Sequence, residues 1–341
     1  MEKYEPIFKI TPEILTATYE IAADLERIDI IQEKTLTLQL RKENRIKTIH
    51  SSLWIEANSL TLEQVTDIVE GKRVIGPAKD ILEVKNAIVA YDELLDCNPY
   101  NEKDLLRQHG LLMKGLSDNA GKYRNEGVGV FDGNIPIHIA PPHTRVPVLM
   151  GQLLNWVKIA KLPQVVKSCI FHYEFEFIHP FMDGNGRMGR MWQTLLLYQE
   201  NPVFAWLPIE TIVAYNQQEY YRAIRRSTHH NDSGIFAAFM LSAIKQTIAE
   251  FKEKYNQGEI EINLNAGVNA GANAGVKLTE IQKKILSLIE KNNTVSQAEI
   301  AKRLNVDVST IYRNIGKMKL SKVLSRVGSD KSGQWIILIE N

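Results

Sequence analysis

The sequence predicts a mainly α-helical protein made of a helical body with one short β-hairpin and a small separate C-terminal domain. Apolar residues recur at the three- and four-residue spacing of amphipathic helices over most of residues 11–251. Alternation of apolar and polar residues, which is typical of strands, occurs in the body only at 128–139. An uncharged run of Asn, Ala and Gly at 263–276 then precedes a second set of helical patterns.

Composition places the chain among ordinary globular proteins. It has 341 residues, of which 44% are hydrophobic and 24% charged, so there is room for two or three domains. The net charge of +1 conceals an asymmetry. Residues 277–341 carry twelve Lys and Arg against six Asp and Glu, a net charge of +6, whereas the residues before them carry −5. A basic C-terminal domain on an acidic body indicates contact with nucleic acid.

Cysteine content and hydropathy bear on the cellular compartment. The two cysteines, Cys97 and Cys169, do not support a disulfide framework. We find no apolar run of membrane-spanning length and no N-terminal signal pattern. A cytoplasmic protein without membrane contact is therefore expected.

The first 79 residues are predicted to form an N-terminal helical region. Helical patterns cover 11–25, 29–41 and 46–60, and a short helix follows at 61–70 with Thr61 or Ser59 as its N-cap. The turn signal Gly76-Pro77 ends this region.

Residues 80–255 form the predicted core. Its hairpin at 128–139 turns at the Asp-Gly-Asn sequence 132–134. The predicted core helices are 80–95, 102–116, 145–159, 164–178, 188–199, 214–224 and 235–251.

The segment 179–190 carries the strongest chemical signal and reads HPFMDGNGRMGR. It lies between two helical patterns, so it forms a loop that opens a helix, whose N-terminal N–H groups favour an anion. Gly184 and Gly186 allow the backbone to approach phosphate oxygens. Arg187 and Arg190 lie three residues apart, share a helix face and can donate forked hydrogen bonds to phosphate.

Two further side chains of this segment suit phosphoryl chemistry. Asp183 is an oxygen ligand of the kind that Mg²⁺ takes when it bridges phosphates. His179 titrates near neutral pH and is a candidate general base.

This segment resembles the signature of Fic-family proteins, H-P-F-x-[D/E]-G-N-G-R-x-x-R, and matches every fixed position. The resemblance covers roughly residues 46–250. It implies a helical core that transfers a nucleotide moiety, usually AMP from ATP, to a hydroxyl side chain of a target protein. His179 would be catalytic and Asp183 would hold Mg²⁺. The implied nucleotide-binding residues are Gly184, Asn185, Gly186, Arg187, Met188, Gly189 and Arg190.

The resemblance also assigns a regulatory role to residues near position 56. Many Fic proteins carry an inhibitory helix with the pattern [S/T]-x-x-x-E-[G/N], which Ser52 and Glu56 match within 46–60. The next residue departs from the pattern, because Ala57 stands where Gly or Asn is usual. The carboxylate of Glu56 would pair with Arg190 and keep it from the γ-phosphate of ATP.

Two other parts of the core acquire roles from the resemblance. The hairpin would be a flap that holds the target by strand addition through Ile135, Ile137, His138 and Ile139, with a plain hairpin as the alternative. Tyr220 and Tyr221 match a tyrosine pair that lies near the adenine in Fic proteins, although a core tyrosine is nearly as consistent with the sequence.

The C-terminal part is predicted to be a linker at 256–277 and a domain at 278–341. Three helical patterns followed by a two-stranded ribbon at 323–339 resemble a winged helix-turn-helix. Its candidate DNA-contacting residues are Ser309, Thr310, Arg313 and Lys317, and protein contact is the alternative to DNA.

Taken together, the residues and the resemblance predict a protein adenylyltransferase that uses ATP and Mg²⁺ on a Ser, Thr or Tyr of a protein target. Removal of AMP from a modified protein and a different donor, such as UTP, GTP or a phosphocholine carrier, stay open. The alternative function is a DNA-binding transcriptional regulator whose core senses nucleotide. A homodimer is also left open.

Overall fold

The structure is a computed structural model that describes residues 5–35, 38–132, 135–256, 279–293, 295–304, 323–327 and 334–337, with residues 306, 311, 314 and 315. The chain divides into two compact units, residues 1–266 and 267–341. The division falls within 256–277, the segment that the composition predicts to be a linker.

The larger unit is built mainly from helices, with β1 (Gly129–Asp132) and β2 (Ile135–Ile139) between the fifth and sixth. Short 3₁₀ turns lie at Leu94–Asp96, His143–Arg145 and Pro202–Ala205. The helices are α1 (Pro12–Thr35), α2 (Leu38–Ile55), α3 (Leu62–Val69), α4 (Ala78–Glu93), α5 (Glu102–Leu112), α6 (Val146–Ile159), α7 (Gln164–Ile178), α8 (Asn185–Tyr198), α9 (Ile209–Tyr215), α10 (Gln217–His230) and α11 (Gly234–Asn256).

Helix α7 lies at the centre of this unit. Its sequence is apolar on all sides, so it is buried along almost its whole length, against α1, α6, α8 and α11. Gly189 on α8 makes the close approach of α7 and α8 possible, since a Cβ there would lie 2.9 Å from Oε1 of Glu176 and 3.0 Å from the ring of His172. The loop that connects the two helices is therefore fixed at both ends.

The helix predicted at 46–60 is wrong in both bounds, because α2 begins at Leu38 and ends at Ile55. The N–H of Asn58 donates to the carbonyl of Leu53 and the N–H of Ala57 to that of Trp54, which is the Schellman pattern of a helix C-terminus. Ala57 has the positive φ of +64° that this motif requires. Glu56 is thus the C-cap residue of α2 and does not lie inside a longer helix.

Helix α3 begins as its sequence predicts. The hydroxyl of Thr61 accepts from the N–H of Gln64, and the side chain of Gln64 accepts from the N–H of Thr61, which forms a capping box. Thr61 rather than Ser59 is therefore the N-cap, and Ser59 instead donates to Oδ2 of Asp80.

The two strands β1 and β2 pair antiparallel, with Gly129 opposite Ile139 and Asp132 opposite Ile135. The register shifts between Val130 and Phe131. The turn residues Gly133 and Asn134 lie outside the described residues. Whether the hairpin acts as a flap stays a prediction.

Helix α11 bears on the expectation that no segment could span a membrane. By length and composition alone, Gly234–Glu253 could span a membrane. In the structure about half of this segment is buried, and α11 packs against α1, α7, α9 and α10. A core helix of a folded domain has this character, so the apolar composition is explained by packing.

The smaller unit contains α12 (Glu280–Lys291), α13 (Gln297–Leu304) and an antiparallel ribbon of β3 (Leu324–Val327) and β4 (Gln334–Ile337). Thr279 caps α12 through a capping box with Gln282. Trp335 of β4 is buried in a small apolar core, and its indole N–H donates to the carbonyl of Val295 at 2.9 Å. The ribbon lies where the sequence predicts it.

Candidate active site

The motif 179–190 forms the turn between α7 and α8. His179 is the C-cap of α7, with its N–H on the carbonyl of Phe175 at 2.9 Å and a left-handed backbone at φ +48°. Gly184 is the N-cap of α8 and has φ +81°, a conformation that favours glycine. A Cβ on Gly184 would also lie 2.7 Å from Sδ of Met113. His179, the candidate general base, is therefore only six residues before Asn185, where α8 and its free N–H groups begin.

Asn185 shapes this turn through its side chain. Its Oδ1 accepts from the N–H of Phe181 and its Nδ2 donates to the carbonyl of the same residue, both at 2.9 Å. Asn185 is buried, so the bonds are protected from water. The side chain that the motif places among the phosphate ligands therefore holds the loop closed, and only backbone groups of Asn185 stay available to a ligand.

His109 of α5 holds the loop between α7 and α8 through one hydrogen bond and one ring contact. Its Nδ1 accepts from the N–H of Gly121 at 2.9 Å, so the proton lies on Nε2, which donates to the carbonyl of Asp183 at 3.0 Å. The ring stacks on Phe181 with centroids 3.6 Å apart. Burial lowers the pKa of His109 to about 4, which keeps this tautomer neutral.

Arg187 is held between two carboxylates. Its Nη1 donates to Oε1 of Glu83 and its Nη2 to Oδ1 of Asp183, each at 3.1 Å. The other oxygen of Glu83 accepts from Nδ2 of Asn58 at 2.8 Å. Glu83 therefore joins Arg187 to the segment that follows Glu56 in the chain.

Arg190 is buried against the end of α2. Its Nε donates to the hydroxyl of Ser52 at 3.2 Å, and its Nη2 donates to the carbonyl of Ser52 at 2.9 Å and to Oε1 of Glu56 at 2.8 Å. Burial by itself would lower the pKa of Arg190, but the Glu56 carboxylate raises it above the ordinary value. Among the described residues, none accepts a hydrogen bond from the buried Nη1.

A cavity of about 200 Å³ brings the predicted residues together. Glu56 closes over Gly186, where a Cβ would clash with the carboxylate, so the glycine is required for this contact. The cavity is lined by Glu56, Glu176, Phe177, His179, Gly186, Arg190, Tyr220, Tyr221, Ile224, Arg225 and Thr228.

The two tyrosines of α10 differ in position. Tyr220 is buried, and its hydroxyl lies 3.1 Å from Nε2 of His172, which accepts because Nδ1 of His172 donates to Gln193. Tyr221 is 38% exposed and lines the cavity. Of the pair, Tyr221 presents more of its ring to a ligand, while Tyr220 mainly packs.

Glu176 is a carboxyl group that the sequence analysis did not select. Burial raises its pKa to about 8. One of its oxygens, Oε1, is buried without a hydrogen-bond partner in the described structure and lies 3.9 Å from Nε2 of His172. The cavity therefore contains two carboxyl groups, Glu56 and Glu176, near one guanidinium.

The remaining predicted residues are placed as follows. Met188 is fully buried in the apolar core and its N–H donates to the carbonyl of Gly184, so it packs rather than faces the cavity. The hairpin residues Ile135, Ile137, His138 and Ile139 belong to β2 by their backbone, and their side chains lie outside the described part. Ser309, Thr310, Arg313 and Lys317 lie outside the described residues.

Three supporting residues escaped the sequence analysis: His109, Glu83 and Arg124. Each acts on the motif from more than 50 positions away in the chain, through a contact that has no local spacing pattern. The sequence holds one weak signal, at Glu83, which is a charged residue within the amphipathic pattern of α4. Charged residues are rarely buried unless an opposite charge pairs with them, so a Glu on the buried face would point to a partner such as Arg187.

Each of the two units contains a segment that matches a known protein family. The family described as "Fic/DOC family" matches residues 99–197, and the family described as "Winged helix-turn-helix DNA-binding" matches 278–323. The first range contains His109, Arg124 and the whole motif.

Several curated proteins are similar over the core. A protein adenylyltransferase Fic from Nematostella vectensis is 28% identical over 221 residues, which are 61% of this chain and 48% of that protein. A probable protein adenylyltransferase from Aquifex aeolicus (strain VF5) is 30% identical over 49% of this chain and 48% of its own length. The chain thus spans about half the length of these curated relatives.

Solved structures extend the similarity to both units. A Fic domain containing signaling protein from Bacteroides thetaiotaomicron VPI-5482 has the same fold, with a TM-score of 0.58 at 18% identity over 71% of this chain and 97% of that one. A Fic family protein from Desulfovibrio desulfuricans G20 is 37% identical, with a TM-score of 0.73 and coverage of 99% of both chains. Because that identity extends over the full length and the motif is complete, this chain belongs to the Fic family.

Proposed function

We propose that this protein is a protein adenylyltransferase, which moves AMP from ATP to a Ser, Thr or Tyr hydroxyl of a protein. The observation that carries the proposal is that one cavity contains His179, the N-terminal turn of α8 and Arg190. The names of the curated relatives, which are similar over the core, support the same activity.

The phosphate end of the nucleotide belongs at the start of α8. The first N–H groups of this helix and its dipole attract an anion. Gly186 has no side chain to shield the backbone once Glu56 moves away, and the unpartnered Nη1 of Arg190 is a donor at the same place. Nη1 of Arg187 is paired with Glu83, so Arg187 contributes only Nη2, which now contacts Asp183.

In the reaction, His179 takes the proton of the target hydroxyl. The target oxygen forms a bond to the α-phosphorus, and the bond from that phosphorus to the bridging oxygen of pyrophosphate breaks. AMP is then ester-linked to the protein, and pyrophosphate leaves with the negative charge. Arg190 and the α8 N-terminus stabilise that charge, which is the main contribution of a protein to this kind of transfer.

Mg²⁺ is the cofactor that such a reaction implies, and Asp183 is the residue that fits it. The side chain of Asp183 is 57% exposed at the entrance to α8 and carries the hard oxygens that Mg²⁺ takes. Among the described residues there is no group of three or more His, Cys, Asp or Glu that could hold a metal ion. A magnesium ion that bridges phosphates takes only one or two protein carboxylates, so Asp183 suffices. The ion would offset phosphate charge.

The Glu56–Arg190 pair supports autoinhibition as part of the proposed function. The carboxylate occupies Nη2 of Arg190 and covers Gly186, so a γ-phosphate and Glu56 compete for one guanidinium. Glu56 could instead orient water for removal of AMP. Release of AMP from a pre-modified target by wild type, and its loss in Glu56→Gly, would support that second activity, whereas equal release by both would refute it.

The test of the proposed activity is AMP incorporation from ATP labelled on the α-phosphate, with Mg²⁺, into lysate proteins and into the protein itself. Glu56→Gly is the active parent, and mass spectrometry should find a mass shift of one AMP. His179→Ala in that parent should abolish incorporation, and retained incorporation would overturn the mechanism. Unlabelled UTP and GTP as competitors identify the base of the nucleotide donor.

A cytoplasmic location is part of the proposal, because the reaction consumes ATP.

The smaller unit supports a second proposal, contact with DNA. It matches a winged helix-turn-helix DNA-binding family, and residues 277–341 carry a net charge of +6. A gel shift with random-sequence duplex should show binding that weakens steeply between 50 and 200 mM salt. A chain ending at residue 256 is the control, and equal binding by both chains would contradict the proposal.

A further inference from the structure

Arg124 is a buried cation whose hydrogen-bond acceptors, within the described part of the chain, are all main-chain carbonyls. It is 3% exposed and lies between α5 and the hairpin. Burial lowers the pKa of its guanidinium. Buried charges are normally paired with an opposite charge, so a guanidinium satisfied by neutral carbonyls suggests that its geometry, and not an ion pair, is what it contributes.

One group of its hydrogen bonds reaches the turn after α7. Nε donates to the carbonyl of His179 at 2.8 Å, Nη2 lies 3.4 Å from the carbonyl of Ile178, and the backbone N–H of Arg124 donates to the carbonyl of Pro180 at 2.9 Å. These three consecutive carbonyls stand at the C-terminal end of a helix, where a cation is favoured by the dipole. Arg124 therefore fixes the backbone on both sides of the catalytic candidate.

A second group reaches the two ends of the hairpin. Nη1 donates to the carbonyl of Glu126 at 2.8 Å, and Nη2 donates to the carbonyl of Pro141. Glu126 precedes β1 and Pro141 follows β2. The hairpin base is closed beside them, since the N–H of Ala140 donates to the carbonyl of Val128 at 3.3 Å.

We propose that Arg124 is a positioning residue that sets the distance between His179 and the hairpin, so that a target chain held on the hairpin presents its hydroxyl to His179. This inference rests on the proposed function and on the prediction from the sequence that the hairpin receives the target. A rigid link is needed, because a misplacement of about 1 Å in a reacting geometry can lower the rate on the order of 100-fold.

The side-chain chemistry explains why an arginine stands here. The guanidinium presents five donors in a plane and so reaches carbonyls on opposite sides at once. His179 also has a left-handed backbone, which persists only where its surroundings over-determine it. A lysine would keep the charge but would offer three donors from a single atom, so it would hold one side and release the other.

The test uses Arg124→Lys in the Glu56→Gly parent. The initial rate of AMP incorporation at saturating ATP should fall by at least tenfold, while the apparent KM for ATP changes by less than twofold, because the α8 terminus is untouched. Arg107→Lys is the matched control. Arg107 is half-exposed, pairs with Glu93 on the surface and should tolerate the change.

Hydrogen exchange provides a readout that does not depend on activity. In Arg124→Lys, the amides of His179 and Ala140 should both exchange at least tenfold faster, whereas amides in the middle of α11 keep their rates. If Arg124→Lys does not fold, the unsubstituted protein is measured instead. There the amides of His179 and Ala140 should open with the same dependence on denaturant concentration.

The outcomes separate the two hypotheses. A parent without AMP incorporation refutes the proposed function, and the exchange measurement still decides the link. An active parent with an unchanged rate in Arg124→Lys, or independent opening of the two amides, overturns the positioning role. A rise in the KM for ATP with an unchanged maximal rate overturns it as well, since that pattern belongs to the nucleotide site.

Discussion

Oε1 of Glu56 lies 2.8 Å from Nη2 of Arg190, although the two residues are 134 positions apart in the chain. The contact joins the C-cap of α2 to the second turn of α8. The same guanidinium bonds the hydroxyl and the carbonyl of Ser52. The end of α2 and the proposed phosphate site are therefore one hydrogen-bonded unit, and an anion can reach Nη2 only if Glu56 moves away.

Glu56→Gly should raise AMP incorporation at saturating ATP. The substitution removes the charged hydrogen bond from Arg190 to Glu56 and so frees the guanidinium for a phosphate. Such a bond contributes roughly 1.5–3 kcal/mol, so the expected gain in rate is on the order of tenfold to a hundredfold. Initial rates with labelled ATP measure it. Glu56→Gln, which keeps the shape but removes the charge, should give a smaller rise, and equal rates in all three proteins would refute the inhibitory role.

Ala57→Gly should strengthen the cap of α2. Ala57 has φ +64°, a conformation that costs a residue with a Cβ roughly 1–2 kcal/mol and costs glycine almost nothing. The free energy of unfolding should rise by about 1 kcal/mol, and the basal incorporation of AMP should fall because Glu56 is held more firmly. Thermal unfolding and initial rates of otherwise wild-type protein measure the two effects.

Exposed Ala22 inside α1 offers the matched control for Ala57. Ala22→Gly should lower the free energy of unfolding by about 1 kcal/mol, the usual cost of glycine in a helix interior. The two substitutions therefore have opposite signs. A loss of stability in both would mean that the cap at Ala57 is not strained.

Asn185→Ala should open the loop between α7 and α8. The substitution leaves the N–H and the carbonyl of buried Phe181 without their partner, which costs about 2–4 kcal/mol together. Denaturant unfolding measures this loss, and a weaker affinity for ATP in the Glu56→Gly parent should accompany it. Asn185→Asp keeps the acceptor for the N–H but turns a carboxylate oxygen toward the carbonyl of Phe181 and buries a charge, so its stability should be at least as low as that of Asn185→Ala. Full stability in Asn185→Ala would contradict the proposed loop-closing role.

The sequence was sufficient for features that depend on neighbours in the chain. Helix α7 has the bounds that its apolar pattern predicts, and the motif 179–190 lies in a loop that opens a helix. Both follow from local periodicity and from glycine placement. The end of α2 was missed for the same reason, because Ala57 carries a positive φ without the Gly or Asn that usually signals it.

The site was predictable only in part. The residues of the motif were found because they are contiguous, and Glu56 was found through the family resemblance. His109, Glu83 and Arg124 were not found, because each contributes one side chain to a backbone or an ion pair that is distant in sequence. Such contacts depend on how helices pack, and no spacing rule within the chain encodes them.

Glu176→Gln should remove a pH dependence from the stability of the larger unit. Burial raises the pKa of Glu176 to about 8 from an ordinary value of 4.5, so the folded state binds a proton that the unfolded state releases. The resulting stability is fully present below about pH 4.5 and is lost as the pH rises through 8. Glutamine stays neutral, so the variant should gain stability relative to wild type steadily from pH 5 to pH 8.5.

Midpoints of thermal unfolding for both proteins, taken at half-unit steps of pH, measure this difference. The histidines do not mimic it, because burial lowers the pKa of His109 to about 4 and that of His172 to about 3, so each favours folding more as the pH rises. A difference that is constant with pH would mean that Glu176 titrates normally. A difference that grows toward low pH would mean that its charged form is the stabilised one, with Arg190 as the group that pairs with it.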